Sequence, residues 1–174
     1  MGIKKIVILG PESTGKSTLT QALAAAYNEP WVYEYARQYI ENLHRPYEFE
    51  DLLQIAKGQI YAEDSALKNA KKYLFIDTDL HVIDVWSNHK FGKTDPWIVE
   101  QIQNRKYDLY LLTNVDIPWE DDPQREHPDP EMRDYFFDRY HKLLQKSNVP
   151  FEIIEGNYID RFVSAMKALK SNGL

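Results

Sequence analysis

Apolar residues cluster along the chain in five short runs that are rich in β-branched and aromatic side chains. Within each run the apolar character is continuous rather than alternating, which is typical of strands that are covered on both faces, as in a parallel sheet. The pattern therefore predicts five buried parallel strands, at residues 3–9, 31–35, 73–77, 107–112 and 151–154.

Between these runs, apolar residues recur at helical spacing. Leu19, Leu23 and Tyr27 define one face of a helix predicted over residues 17–27. A longer helix is predicted over residues 49–72, where steps of three and four residues connect Leu52, Ile55, Ala56, Gln59, Ile60, Glu63 and Leu67. Strands and helices that alternate along one chain indicate an α/β fold with a doubly wound parallel sheet.

Composition places the chain among globular proteins and narrows its chemistry. It has 174 residues, 43% hydrophobic and 28% charged, so we expect a single domain over residues 1–174. The net charge of −6, from 21 basic and 27 acidic residues, argues against nucleic acid or a membrane surface as a partner. The absence of cysteine excludes disulfides, thiolate metal ligands and cysteine nucleophiles. Since no apolar run approaches the ~20 residues of a membrane span, we expect a cytoplasmic protein.

The turn after the first predicted strand carries the most specific motif. Residues 10–17 fit the pattern G-x-x-x-x-G-K-S/T of a phosphate-binding P-loop. Such a loop surrounds one anion with backbone N–H groups, and the following helix N-terminus adds free donors and partial positive charge. Lys16 is expected to contact the β- and γ-phosphates and Ser17 to ligate Mg²⁺. A glycine-rich turn without a ligand is the weaker alternative. The predicted nucleotide-binding residues in this region are Gly10, Glu12, Ser13, Thr14, Gly15, Lys16, Ser17 and Thr18.

Charged residues also follow the third and second predicted strands. Asp77 ends an apolar run as a Walker B acid does, so we expect it near the Mg²⁺ held by Ser17. Asp79 is either a substrate ligand or the N-cap of the next helix. Glu34 and Arg37 are candidates for binding a sugar diol and a phosphate or carboxylate, and a surface ion pair is the alternative. Which of Asp77, Asp79 and Glu34 is the general base stays open.

One segment, residues 116–131, differs from the rest in composition because it holds four prolines and seven carboxylates. Prolines at this density prevent a continuous helix, so the segment is either a solvated acidic connector or a functional loop. As a lid, it would exclude water and bring Arg125 to the transferred phosphoryl group. Trp119 would then stack on an aromatic substrate base or simply anchor the loop. We call residues 116–131 the lid segment.

Together these residues resemble the ribosylnicotinamide kinase domain of the NadR-type bifunctional NAD-biosynthesis proteins. The similarity rests on residues 10–18, 34–37, 76–79 and 119–125 and ends at 158–161, so it runs in order through nearly the whole chain. It implies a P-loop kinase fold with strand order 2-3-1-4-5, helices on both faces and a lid. It also implies ATP and Mg²⁺ as cofactors, with phosphorylation of the ribose 5′-hydroxyl of nicotinamide riboside to give nicotinamide mononucleotide.

The resemblance also implies roles for individual residues. Catalysis falls to Lys16, Asp77 and Arg125, and metal binding to Ser17 and Asp77. The acceptor side comprises Glu34, Arg37, Asp79, Trp119 and Asp122, and Tyr158 and Arg161 join the nucleotide site. Two features depart from the family. No adenylyltransferase region precedes the P-loop, so a stand-alone kinase is expected, and Pro123 and Glu126 make the lid segment stiffer and more acidic.

Three alternatives to a nicotinamide riboside kinase follow from the same residues. The first is a kinase for another nucleoside or small metabolite. The second is a regulatory ATPase, although no glutamate follows Asp77 to polarise water, and Asn114 stands where a guanine-reading motif needs lysine. The third, a nucleic-acid end kinase, is disfavoured by the acidic charge.

Overall fold

The computed structural model describes residues 2–174. Its strands are β1 (Lys4–Leu9), β2 (Trp31–Val32), β3 (Tyr73–Asp77), β4 (Leu109–Thr113) and β5 (Phe151–Ile154). Its helices are α1 (Lys16–Tyr27), α2 (Tyr35–Glu41), α3 (Phe49–Leu67), α4 (Leu80–Phe91), α5 (Pro96–Asn104), α6 (Pro130–Lys146) and α7 (Tyr158–Ser171). Within residues 2–174, none of the helices combines the length and the apolar content needed to cross a membrane.

The five strands form one sheet in the order β2-β3-β1-β4-β5, and every pairing in it is parallel. The predicted fold class and strand order are thereby confirmed. Because all strands run in one direction, their carboxyl ends meet at a single edge of the sheet, where α/β proteins bind ligands. The order changes direction at β1, so the turn between β1 and α1 opens into this edge.

Alternate residues of β1 pack on opposite faces of the sheet. Ile6 and Ile8 belong to a buried cluster shared with α1 and α7. Val7 and Leu9 belong to a second cluster, which α4 and α6 complete. All four side chains are fully buried, which explains why the run shows no alternation of apolar and polar residues. A third cluster joins α2, α3, α4 and α5 beside the sheet.

Two elements end earlier than the sequence predicts. Strand β2 ends at Val32 rather than at residue 35, because Glu34 takes the N-cap position of α2 and Tyr35 begins that helix. Helix α3 ends at Leu67 rather than at residue 72, since the chain turns through Asn69 before it enters β3. Apolar character alone cannot separate the end of a strand from the start of an adjoining helix.

The lid segment has no helix or strand before its last two residues. Helix α6 begins at Pro130, and the Asp129 carboxylate caps it by accepting hydrogen bonds from the N–H groups of Glu131 and Met132. Proline at the first helical position lacks only a donor that would be unpaired there anyway. The prolines therefore keep residues 116–129 irregular but start the helix that follows.

Candidate active site

The P-loop owes its shape to residues with unusual backbone conformations. Gly10, Ser13 and Gly15 have φ angles of 152°, 54° and 74°. At Gly10 a Cβ atom would lie 2.3 Å from the Thr113 hydroxyl, so only glycine lets the end of β4 approach this closely. The buried Thr14 hydroxyl closes the turn through contacts with the Pro11 carbonyl (2.8 Å) and the Thr113 hydroxyl (2.7 Å).

Donors for an anion converge at the start of α1. Gly15 occupies the N-cap position, and no side chain caps the first turn. The first N–H groups of the helix therefore have no intrahelical partner and favour a bound anion. The Lys16 ammonium lies across the same loop and donates to the Pro11 carbonyl at 2.7 Å. A phosphate in the loop would offer this ammonium a charged acceptor in place of a neutral one.

Asp77 lies buried at the carboxyl end of β3, with 1% of its surface exposed. Its Oδ1 atom has no hydrogen-bond partner among residues 2–174. Burial, and next the nearby Glu34 carboxylate, raise the pKa of Asp77 to about 7, although Lys16 and the Ser17 hydroxyl oppose the shift. A buried carboxylate with a free oxygen beside a serine hydroxyl fits Mg²⁺, which prefers oxygen ligands and usually keeps several waters.

Asp79 has a different role in the structure. Its buried carboxylate caps α4 by accepting from the N–H of His81, and it accepts from the Tyr110 hydroxyl at 2.7 Å. The same carboxylate contacts the His81 ring at 2.6 Å. The positive charge of His81 lowers the pKa of Asp79 although burial opposes it, and Asp79 in turn raises the pKa of His81. Asp79 does not line the main cavity, and its side chain acts as the capping residue that the sequence allowed.

The lid segment folds over the P-loop and contacts two of its side chains. The Ser13 hydroxyl accepts from the N–H of Glu120 at 2.8 Å and from the Arg125 guanidinium at 3.3 Å. The Glu12 carboxylate accepts from the N–H groups of Glu126 and His127. The structure therefore brings Arg125 beside the loop that the sequence predicts to hold phosphate.

A second contact ties the lid segment to the acceptor side. Arg37 donates to the Asp122 carboxylate at 2.7 Å, and this pairing lowers the pKa of Asp122. Glu34, three residues before Arg37, lines the cavity and makes no ion pair within residues 2–174. The surface pair between Glu34 and Arg37 that composition allowed is therefore not formed, since Arg37 pairs with the lid segment instead.

Trp119 and a second arginine lie at the base of the lid segment. The Trp119 indole N–H donates to Asp121 at 2.9 Å. The guanidinium groups of Arg125 and Arg133 each lie 5.8 Å from the Trp119 ring centroid, within the range of cation–π attraction. Trp119 does not line the main cavity; it packs with the arginines that hold the lid segment.

Arg133 was missed from sequence. It is buried on α6 and donates to the carbonyls of Ser13 (3.2 Å) and Ile117 (3.1 Å), so it joins the P-loop to the start of the lid segment. Its position was a signal, because it lies on the same stripe of α6 as the buried Phe136 and Tyr140. A charged residue in an apolar stripe requires polar partners from elsewhere in the fold.

The main cavity measures about 320 Å³ and opens between the P-loop, α2, α4, α6 and the lid segment. Its wall away from the P-loop combines two charged groups with apolar and aromatic side chains. These are Glu34, Arg37, Ile40, Val82, Trp86 and Tyr140. Trp86 and Tyr140 were also missed, because their helical spacing resembles that of ordinary core residues. Trp86 stacks on Tyr47 with an interplanar angle of 18°.

Tyr158 and Arg161 line the cavity from α7. Tyr158 is 55% exposed, whereas Arg161 is buried. The Arg161 guanidinium donates to the carbonyls of Thr14 (3.0 Å), Asn114 (3.1 Å) and Gly156 (2.7 Å), and it pairs with Asp116. Arg161 thus supports the P-loop through the Thr14 carbonyl and ties it to the segments that follow β4 and β5.

Comparisons with known proteins relate this geometry to a family. A family model described as AAA domain matches residues 5–161. The trifunctional NAD biosynthesis/regulator protein NadR of Salmonella typhimurium is 30% identical over 173 residues, and the protein of that name in Escherichia coli is 29% identical. Each match covers 97% of this chain, which spans 42% of the length of each relative.

Solved structures extend the comparison. A crystal structure of NadR protein in complex with NR superposes with a TM-score of 0.82 at 25% identity, over 99% of this chain and 50% of that one. A complex of NadR protein with NAD and AMP-PNP gives a TM-score of 0.75 at 27% identity, with the same coverage. Thymidylate kinase from Ehrlichia chaffeensis, at 15% identity and a TM-score of 0.62, shares the fold. The resemblance to the NadR-type kinase domain is confirmed.

Proposed function

This chain belongs to the AAA domain family, and we propose that it is an ATP-dependent kinase that phosphorylates the ribose 5′-hydroxyl of nicotinamide riboside (NR) to give nicotinamide mononucleotide. The observation that carries the proposal is the cavity itself. It joins a P-loop on one side to an aromatic wall on the other, beneath the lid segment with its arginine. The wall includes Glu34, a carboxylate that has no ion-pair partner among residues 2–174. Its volume of about 320 Å³ lies at the lower end of the usual range for small-molecule sites.

The donor half of the site is suited to the triphosphate of ATP. The free N–H groups at the start of α1 and the Lys16 ammonium would hold the β- and γ-phosphates. Ser17 and Asp77 would hold Mg²⁺, which, when bound, neutralises charge on the phosphate oxygens. A solved relative binds AMP-PNP, an analogue of ATP, and supports ATP as the donor.

Glu34 is the best candidate for the general base. Among the three carboxylates that sequence left open, Asp79 is occupied by His81 and Tyr110, and Asp77 fits the metal. Glu34 alone of the three lines the main cavity. A carboxylate there can accept the proton of the attacking hydroxyl as the phosphoryl group leaves ADP. Most of the acceleration then comes from position and charge neutralisation rather than from proton transfer.

The acceptor half suits a nucleoside with an aromatic, cationic base. The pyridinium ring of NR is planar and positively charged, and Trp86 offers aromatic surface in the cavity that Glu34 also lines, whereas Tyr140, only 1% exposed, closes the wall. Arg37, held by Asp122, would face the sugar or the transferred phosphoryl group. A solved relative with NR bound supports this acceptor. Stacking of the acceptor base on Trp119 is a weaker form of the proposal, because that ring lies against Arg125 and Arg133.

A parallel acceptor assay tests the proposal. The protein is given Mg-ATP with NR, adenosine, uridine, thymidine or shikimate, and each product is identified by mass. Phosphorylated NR with stoichiometric ADP is the expected result. Phosphorylation of another acceptor in preference to NR would move the assignment to a different kinase. ADP released equally fast without any acceptor would replace it with a water-dependent ATPase.

A further inference from the structure

Glu12 occupies a P-loop position whose side chain the phosphate-binding motif does not specify. Its Oε2 atom accepts hydrogen bonds from two successive lid amides, the N–H of Glu126 at 3.0 Å and the N–H of His127 at 3.1 Å. These partners lie 114 and 115 residues away along the chain. Oε1 also accepts from the N–H of Glu126, at the longer distance of 3.3 Å. The Glu12 carboxylate therefore holds the part of the lid segment just after Arg125 against the loop.

Ser13, the next residue of the P-loop, holds the part of the lid segment that precedes Arg125. The Ser13 hydroxyl accepts from the N–H of Glu120, which lies five residues before Arg125. Arg125 itself sits in a turn closed by its N–H and the carbonyl of Asp122 at 3.0 Å. Arg125 thus lies between two points at which P-loop side chains fasten the lid segment, and its guanidinium also donates to the Ser13 hydroxyl.

The polar contacts of the Glu12 carboxylate are mainly with the lid segment. Burial raises the pKa of Glu12, and the amides of His127 and Glu126 together with Lys16 offset part of this cost. The Glu126 side chain points elsewhere, since it accepts from the Tyr47 hydroxyl at 3.3 Å and from Lys90 at 3.4 Å. Within residues 2–174 Glu12 forms no ion pair, so the lid amides are its main polar partners.

We propose that Glu12 is a positioning residue for phosphoryl transfer, which sets Arg125 over the P-loop by holding the lid closed. The inference rests on the proposed kinase function and adds to it a residue that acts through the lid segment rather than on the nucleotide. Because Oε2 accepts from both amides, the amide oxygen of glutamine can keep these two hydrogen bonds and lose only the longer one made by Oε1, whereas alanine loses all three. A role that needs the negative charge, such as metal binding, would treat glutamine and alanine alike.

A double-mutant cycle with Arg125 separates the lid role from direct action on the nucleotide. In the wild-type background, Glu12→Ala should lower kcat about 10–100-fold with a smaller change in KM for ATP, and Glu12→Gln should recover most of the loss. In the Arg125→Ala background, Glu12→Ala should cost less than about 3-fold, because the group that it positions is already gone. Glu152→Ala, which removes an exposed acid on β5, is the matched control.

Four results would count against either the role of Glu12 or the proposed function. The proposal would be overturned if Glu12→Ala lowered kcat by the same factor with and without Arg125. It would also be overturned if the kcat of Glu12→Gln were as low as that of Glu12→Ala. If urea unfolding shows that Glu12→Ala does not fold, the cycle is run with Glu12→Gln and Glu12→Asp. A kcat near that of wild type in the aspartate variant alone would then count against the lid role. A wild-type protein without kinase activity on any acceptor would instead refute the proposed function, so the two failures remain distinct.

Discussion

Replacing Asp77 by asparagine should stabilise the metal-free protein above neutral pH while abolishing turnover. Asp77 is 1% exposed, and its Oδ1 atom has no hydrogen-bond partner among the residues described. The folded state therefore carries a buried charge whose solvation is incomplete. Asparagine keeps the shape of the side chain and removes the charge, but it cannot serve as an anionic ligand for Mg²⁺.

The size of the effect follows from the pKa of Asp77, which burial and the Glu34 charge raise from 3.8 to about 7. A difference of about 3 pKa units, at ~1.36 kcal/mol each, lowers the free energy of unfolding by roughly 4 kcal/mol above neutral pH. Relaxation of the protein and penetration of water around the charge reduce this figure. We therefore expect Asp77→Asn to raise the free energy of unfolding by about 1–3 kcal/mol at pH 8.

The sign depends on which state binds more protons. Between pH 4 and 7 the folded protein keeps the proton of Asp77 while the unfolded chain has released it, so this group lowers stability as pH rises. The loss is complete above pH 7 and absent below pH 4. The asparagine variant lacks this dependence, and the two stability curves should converge in acid.

Urea unfolding in EDTA from pH 5 to 8.5 measures the difference directly. Wild type, Asp77→Asn and Asp138→Asn are compared, the last being an exposed acid on α6 that controls for net charge. A gap between wild type and Asp77→Asn that widens from pH 5 to pH 8 supports the argument. A gap independent of pH, or an asparagine variant that is less stable at pH 8, would refute it.

Three further predictions concern the P-loop, the lid segment and the packing of α3 against α2. Lys16→Ala should remove phosphoryl transfer and leave the thermal midpoint within a few degrees of wild type; near-normal turnover would contradict the P-loop assignment. Arg125→Ala should lower kcat by as much as ~10³-fold with a much smaller rise in KM for ATP, as steady-state kinetics would show, and an unchanged kcat would reduce the lid segment to a connector. Gly58→Ala would place a Cβ atom 2.0 Å from the Tyr35 ring and should cost about 1–3 kcal/mol in urea unfolding, despite the better helix propensity of alanine; a more stable variant would show that the ring moves freely.

Local patterns were sufficient for the fold class, whereas the strand order was implied by the resemblance to the NadR-type kinase domain. The five strands lie where continuous apolar runs occur, because a strand buried on both faces has no solvent-facing positions to interrupt the run. The P-loop is equally local, since its glycines, Lys16 and Ser17 are adjacent in sequence. At Asp79 sequence left two roles open, as a strand end can place a carboxylate toward a ligand or over the next helix, and the structure shows the cap.

The site residues that sequence missed depend on distant contacts. Trp86 and Tyr140 resemble core residues until α4 and α6 are placed around one cavity. Arg133 reaches a carbonyl 120 residues away. Glu12 was assigned to the nucleotide because of its place in the P-loop, and its observed partners lie on the lid segment. Contacts of this length leave no periodicity in the sequence from which they could be predicted.

The anchoring of the P-loop by Arg161 has a consequence for synthesis on the ribosome. The motif that binds phosphate is synthesised well before the guanidinium that donates to the Thr14 carbonyl, which comes 147 positions later. A nascent chain, or a fragment that stops before α7, carries the complete motif without the support that shapes it. The ability to retain nucleotide should therefore appear only after α7 has been synthesised.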